Sequence, residues 1–173
     1  MQTLKLPHLL LLAIWLTAAW PYAIAAEQKP WHARQNVVDT FYERSLKERI
    51  STFPQYSFED QYAIYLYGNQ VQHPPAIYLA DPFAAKGKGI VLPLSDRLRE
   101  ATDDLTIRDI VMVFSAMSRA KTYDVASDGQ LMTLLRRAAK RMKDPDWKAL
   151  VEKEISTLRS AEPDLQHVAT PPG

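Results

Sequence analysis

Apolar residues recur along this chain three and four positions apart, and no stretch alternates convincingly at period two, so the pattern predicts helices and no sheet. The clearest element is 103–119. There Ile107, Ile110, Val111, Val113, Phe114, Ala116 and Met117 leave only a narrow polar strip through Arg108, Ser115 and Arg119, as expected of a helix with neighbours on most sides. Thr106 is predicted to cap its N-terminus, with Asp109 as the acidic partner of a capping box and Leu105 and Ile110 as a hydrophobic staple.

The other elements follow from the same reading. Val37, Val38, Phe41, Tyr42, Leu46 and Ile50 predict a surface helix over 33–50, and Pro54 marks a connection. Ser57 is placed to cap a helix ending near Gln70, with apolar residues on two stripes. His73-Pro74-Pro75 breaks the chain, after which 76–86 reads as helix, restarted at Asp81-Pro82, with Gly87 as its stop. Ile90, Val91, Leu94 and Leu98 define the inner face of a helix over 90–101. Ser127 and Gln130 read as a capping-box pair ahead of the stripe Leu131, Leu134, Leu135, Ala138 and Met142. Asp144-Pro145 opens a last helix with Trp147, Leu150, Val151, Ile155 and Leu158 inward. From Ser160 on, proline and polar residues without periodicity predict a disordered tail, 160–173.

The fold class is therefore all-α, either an irregular helical bundle or a short stack of helical hairpins. The run 84–99, AAKGKGIVLPLSDRLR, has a glycine, then Val-x-Pro-x-Leu, then an amphipathic helix, and it resembles the second helix of a HEAT or armadillo-type repeat. With 105–119 and 128–142 as the next unit, the resemblance covers about residues 75–142. It implies a HEAT-like surface of helical hairpins that binds proteins or peptides, and it carries over no catalytic residue.

The first 25 residues read differently. Lys5, an apolar run from Leu9 to Trp20, Pro21 and the pattern Ala23-Ile24-Ala25 describe a secretory signal peptide cleaved after Ala25, the rival being an uncleaved membrane anchor. A single domain, 26–159, remains, large enough to bury a substantial core. Removing Lys5 takes the formal charge of +1 to about zero, which leaves no global attraction to nucleic acid or anionic lipid. There is no cysteine, which excludes disulfides, thiolate metal sites and a cysteine nucleophile. Periplasmic residence is the simplest compartment, with full secretion second.

Candidate chemistry is sparse. His73 sits at a rigid turn, where a histidine can be a base or a metal ligand, but its prospective partners are only the distant His32 and His167. Tyr56, Phe58, Tyr62, Tyr65, Tyr67 and Tyr78 gather around that turn; they suit either a glycan-stacking groove or a core whose hydroxyls reach the surface. Glu59 and Asp60 lie beside them, but neighbours on one helix point apart and cannot flank a scissile bond, whereas first-turn acids complement the helix dipole. The dipole also accounts for Asp103-Asp104 and Asp144-Pro145-Asp146, neither of which has the ligand series of a calcium loop. Lys86-Gly87-Lys88-Gly89 lacks the strand and spacing of a phosphate cradle and reads as a helix–helix turn. Arg136, Arg137, Lys140, Arg141 and Lys143 form a basic face without interleaved aromatics, suited to an acidic partner and not to nucleic acid.

These residues lead to an expectation of an exported periplasmic interaction domain, an adaptor, inhibitor or accessory factor without catalytic activity, cofactor or metal. Tyr62, Tyr65, His73, Tyr78, Arg137, Lys140 and Arg141 are its expected contacts. Another envelope protein is the expected partner, with peptidoglycan or another glycan as the alternative, bound or acted on through the aromatics near Glu59 and His73. No stable membrane insertion is expected once the signal is cleaved.

Overall fold

The computed structural model describes residues 29–160, so the predicted signal peptide and all of the predicted tail beyond Ser160 lie outside the described residues. Every regular element among the described residues is helical: α1 (Gln35–Tyr42), α2 (Leu46–Thr52), α3 (Phe58–Gln70), α4 (Ala80–Ala84), α5 (Val91–Glu100), α6 (Asp104–Arg119), α7 (Gly129–Arg141) and α8 (Pro145–Ser160). Short 3-10 turns at His32–Arg34, Phe53–Gln55, Ile77–Leu79 and Gly87–Ile90 join or lead into them.

The α6 helix lies at the centre, in contact with α3, α4, α5, α7 and α8. From α4 on, alternate helices are neighbours, α4 beside α6 beside α8 and α5 beside α7, while α1 packs on α3. Ile107, Ile110, Val111, Val113, Phe114, Ala116 and Met117 are all buried, as the near-continuous apolar surface of α6 requires. An aromatic cluster supports its other side: Phe53, Phe58 and Tyr65 each lie within 6 Å of the Phe83 ring, centre to centre.

Several boundaries differ from those the sequence predicts. The expected helix over 33–50 is two helices, because Ser45 and Glu48 form a complete capping box that starts α2 afresh after α1 ends at Tyr42. Val38 and Phe41 are buried on α1, but Leu46 and Ile50 on α2 are exposed. The cap of α6 is Asp103 and not Thr106: the Asp103 carboxylate accepts the Thr106 N–H at 2.9 Å, and a charged acceptor at this position also meets the positive end of the helix. Thr106 is thereby drawn into the first turn and Asp109 into the body of the helix, too far in to complete a capping box. The cap of α7 is Asp128, which accepts from Gln130 and Leu131, while Ser127 is held by Asp124. Asp81 lies inside α4, which begins one residue earlier. Ser57 and Asp144 cap α3 and α8 as expected.

The 86–89 loop is a turn between helices. Gly87 has φ +56°, and a Cβ there would lie 2.8 Å from the Thr122 carbonyl oxygen, so only glycine fits without strain. Asp104 makes a second structural contact: its carboxylate accepts the backbone N–H groups of Lys143 and Asp144, fixing the α7–α8 junction to the start of α6.

Candidate functional site

One groove stands out, a half-open cavity of about 650 Å³ walled by α3, α4, α6, α8 and the Ile77–Leu79 turn. Its lining is mostly apolar: Pro75, Ile77, Ala80, Met112, Trp147 and Leu150, with the rings of Tyr65 and Tyr78. A volume of this size lies in the range of ligand pockets. Ile77 stands 73% exposed at the rim. Arg119 and Asp81 face each other across another part of the rim at 3.8 Å, both well exposed, where solvent makes such a pair worth little.

The polar end of the groove is built around Asp109. Its side chain falls on the same face of α6 as Val113 and Ala116, four and seven positions on, which puts a carboxylate inside an apolar stripe. It is 2% exposed. Burial raises its pKa to about 6, against the lowering effect of the Arg108 charge and the hydrogen bonds from Gln70 and Arg108. Arg108 folds back along the helix and donates through Nε (2.9 Å) and Nη2 (2.7 Å) to the same oxygen, Asp109 Oδ1. Gln70, at the end of α3, donates from Nε2 to Oδ2 at 2.9 Å, and its Oε1 accepts from Lys29. On its other side the Arg108 guanidinium lies 4.4 Å from the centre of the Trp147 ring of α8, a cation–π contact. Tyr65 donates its hydroxyl proton to the Asp109 backbone carbonyl at 3.2 Å, and burial pushes its own pKa well up, so it remains a neutral donor. Asn69, also in the lining, donates to the Tyr65 carbonyl, and among the described residues its buried Oδ1 accepts no hydrogen bond.

The sequence-predicted contacts are dispersed. Tyr65 and Tyr78 reach the groove, Tyr78 with its hydroxyl held by Arg49 at 3.4 Å. Tyr62 does not: its ring is buried, stacked on Phe58 and covered by Arg97, and it borders a separate small hollow beside Asp103. With Tyr62 and Tyr65 each 2% exposed, neither ring offers a face for stacking on a sugar. Phe58 and Tyr65 turn toward the Phe83 ring and Tyr62 stacks on Phe58, while Tyr56, Phe58, Tyr67 and Tyr78 remain half-buried. His73 is exposed on the turn and is not among the groove's lining residues.

The acidic pair is accounted for by arginines: Glu59 by Arg97 at 2.7 Å, Asp60 by Arg34 and by the Ser57 hydroxyl. On α7, Arg137 and Lys140 are exposed, but Arg141 is occupied. Its guanidinium donates to the carbonyls of Leu98 (2.8 Å), Ala101 (3.3 Å) and Arg99 (3.4 Å), satisfying the open end of α5. None of these three lines the groove.

Asp109, Arg108 and Trp147 line the groove without being among the contacts the sequence predicts. The available signal was the interruption itself, an aspartate on the stripe that Val113 and Ala116 continue. Among the described residues no group of three or more His, Asp or Glu gathers as a metal site would require. No described helix is long and apolar enough to cross a membrane. Comparison of the chain with known protein families, with curated proteins and with solved structures finds no match in any of the three.

Proposed function

We propose that this chain is an exported interaction protein that takes an apolar segment of a partner protein in the envelope into the groove between α3, α4, α6 and α8. The observation that carries this reading is the groove: an apolar floor, an exposed Ile77 at its edge, and one anchored polar end with which an occupant would be oriented. Three of its wall helices, α3, α6 and α8, carry side-chain caps, so binding needs little ordering of the protein. The predicted signal peptide supports an envelope location, and the exposed Arg137 and Lys140 offer an acidic partner a second, weaker contact. The glycan alternative has less support, because Tyr62 and Tyr65 are buried, although Tyr78 is half-buried in the groove's lining.

The test is site-specific photocrosslinking in cells of the source organism. A photoreactive residue in place of Ile77 is expected to trap one discrete protein adduct, and one in place of the equally exposed Leu92, outside the groove, is expected to trap none of it. The same adduct from both positions, no adduct from either, or co-sedimentation of the purified chain with peptidoglycan would sink the proposal.

A further inference from the structure

Arg108 spends Nε and Nη2 on a single oxygen of Asp109 and stands 4.4 Å over the Trp147 ring, while among the described residues its third nitrogen, Nη1, makes no hydrogen bond. The arginine is thus held back by its own neighbour in the wall of a mostly apolar cavity. What holds it is the negative charge of Asp109.

We propose that Arg108, Asp109 and Gln70 form a proton-operated latch: when Asp109 takes up a proton, Arg108 is released and becomes the acceptor for a carboxylate carried by the groove's occupant. This rests on the groove being a binding site and adds the chemistry of what enters it: an apolar group bearing a carboxylate, as at a peptide C-terminus.

The hydrogen-bond geometry explains why the latch has two positions. Ionised Asp109 accepts three hydrogen bonds, two on Oδ1 and one on Oδ2. A proton on either oxygen turns an acceptor into a donor, and each already faces donors. Gln70 cannot simply invert its amide to accept that proton, because its Oε1 is engaged by the Lys29 ammonium at 3.3 Å and an inverted amide would point its NH2 at that cation. The Arg108 side therefore gives way. Released, Arg108 is a cation whose side chain is only 13% exposed, a costly state that an incoming carboxylate relieves.

The surroundings bias the latch toward protonation in a useful range. Asp103 on the same helix adds negative charge, itself partly balanced by Lys29 at 2.9 Å, and α3 contributes the neutral phenols Tyr65 and Tyr62. From α8 the neutral Trp147 ring faces Arg108. With Asp109 titrating near 6, its protonated fraction rises steeply between pH 7.5 and 5.5.

The test is calorimetric titration of the full chain with 4-phenylbutyrate and with its neutral amide. Carboxylate affinity is expected to rise on the order of twentyfold from pH 7.5 to 5.5, following the competent fraction, while amide affinity stays flat. Asp109→Asn, permanently released, should bind the carboxylate at both pH values as tightly as the wild type does at 5.5. Arg108→Gln should lose the preference for carboxylate over amide, and it decides the matter if Asp109→Asn does not fold. Equal carboxylate affinity at the two pH values, no binding at either, or an unchanged preference in Arg108→Gln overturns the latch. The Ile77 crosslink depends on neither pH nor this probe, so its failure separates the partner reading from the latch.

Discussion

The two sides of α3 are packed by opposite rules. Toward α1, Gly68 sits under the Tyr42 ring, whose hydroxyl donates to the Ile64 carbonyl at 2.9 Å, and no space remains. Toward α6 and α8, the same helix borders a cavity of about 650 Å³ holding a buried carboxylate and a guanidinium. Interiors ordinarily pack to crystal-like density, as the Gly68–Tyr42 contact does, whereas the groove stays open between largely apolar walls. The open space meets the buried Asp109 carboxylate and the Arg108 guanidinium at one end, where apolar closure would strand them. The groove thus joins apolar walls to one charged end, which the Tyr42 side of α3 lacks.

Gly68→Ala should have the largest effect. A Cβ there would lie 1.9 Å from the Tyr42 hydroxyl and 2.6 Å from the Ala76 Cβ, so either the phenol leaves its hydrogen bond or α1 moves. Overpacking of this kind costs about 1–3 kcal/mol, and the lost hydrogen bond adds about 1 kcal/mol more. Urea denaturation should show a reduced midpoint with unchanged slope. A loss below about 0.5 kcal/mol would mean that this side has slack too.

Asp109→Asn comes next, and its effect changes with pH. A carboxyl raised from 3.8 to about 6 in the folded chain stabilises the fold fully at low pH, and that contribution is lost as pH rises through 6. Between pH 5 and pH 7.5 the wild type should lose about 1.4 kcal/mol relative to Asp109→Asn. Denaturation curves of both proteins at the two pH values check this. A difference that stays constant would place the titration of Asp109 outside the window.

Arg141→Ala should cost about 1 kcal/mol, because the last carbonyls of α5 lose their shared donor. The paired substitution of Arg137 and Lys140 by alanine, on the same helix face, should stay within about 0.5 kcal/mol. Equal losses from the two variants would refute the division between a tied and an open part of that face.

Much of the fold was legible from periodicity. The helical class, the central place of 103–119 and the caps at Ser57 and Asp144 all follow from local rules, because apolar spacing and a first acceptor are properties of a few adjacent residues. What failed were choices between nearby acceptors, and the restart at Ser45 that splits 33–50 into two helices. Asp103 and Thr106, or Ser127 and Asp128, each offer a plausible cap, and which one wins depends on the backbone angle at that residue. The site was less legible still. Arg108 and Asp109 are consecutive in sequence, but their meaning comes from Gln70 on α3 and Trp147 on α8, placed there by tertiary packing. Tyr62 and Tyr65 show the complementary difficulty: an aromatic stripe on a helix reads the same whether a groove or a neighbouring helix lies beyond it, and here Tyr65 borders the groove while Tyr62 does not.

The smallest stability effect is expected from the substitution that tests the groove most directly. Met112 is half-buried on α6 and lines the cavity, so Met112→Phe adds volume where there is space to receive it. Unlike Gly68→Ala, it should change stability by no more than about 0.5 kcal/mol, since the ring meets open volume and apolar neighbours. The same ring narrows the groove, so the adduct from the Ile77 photocrosslinker should fall or vanish in this background. Unchanged stability with lost crosslinking identifies the cavity as functional space. A large stability loss would instead mean that the cavity closes in solution, and that both sides of α3 are packed alike.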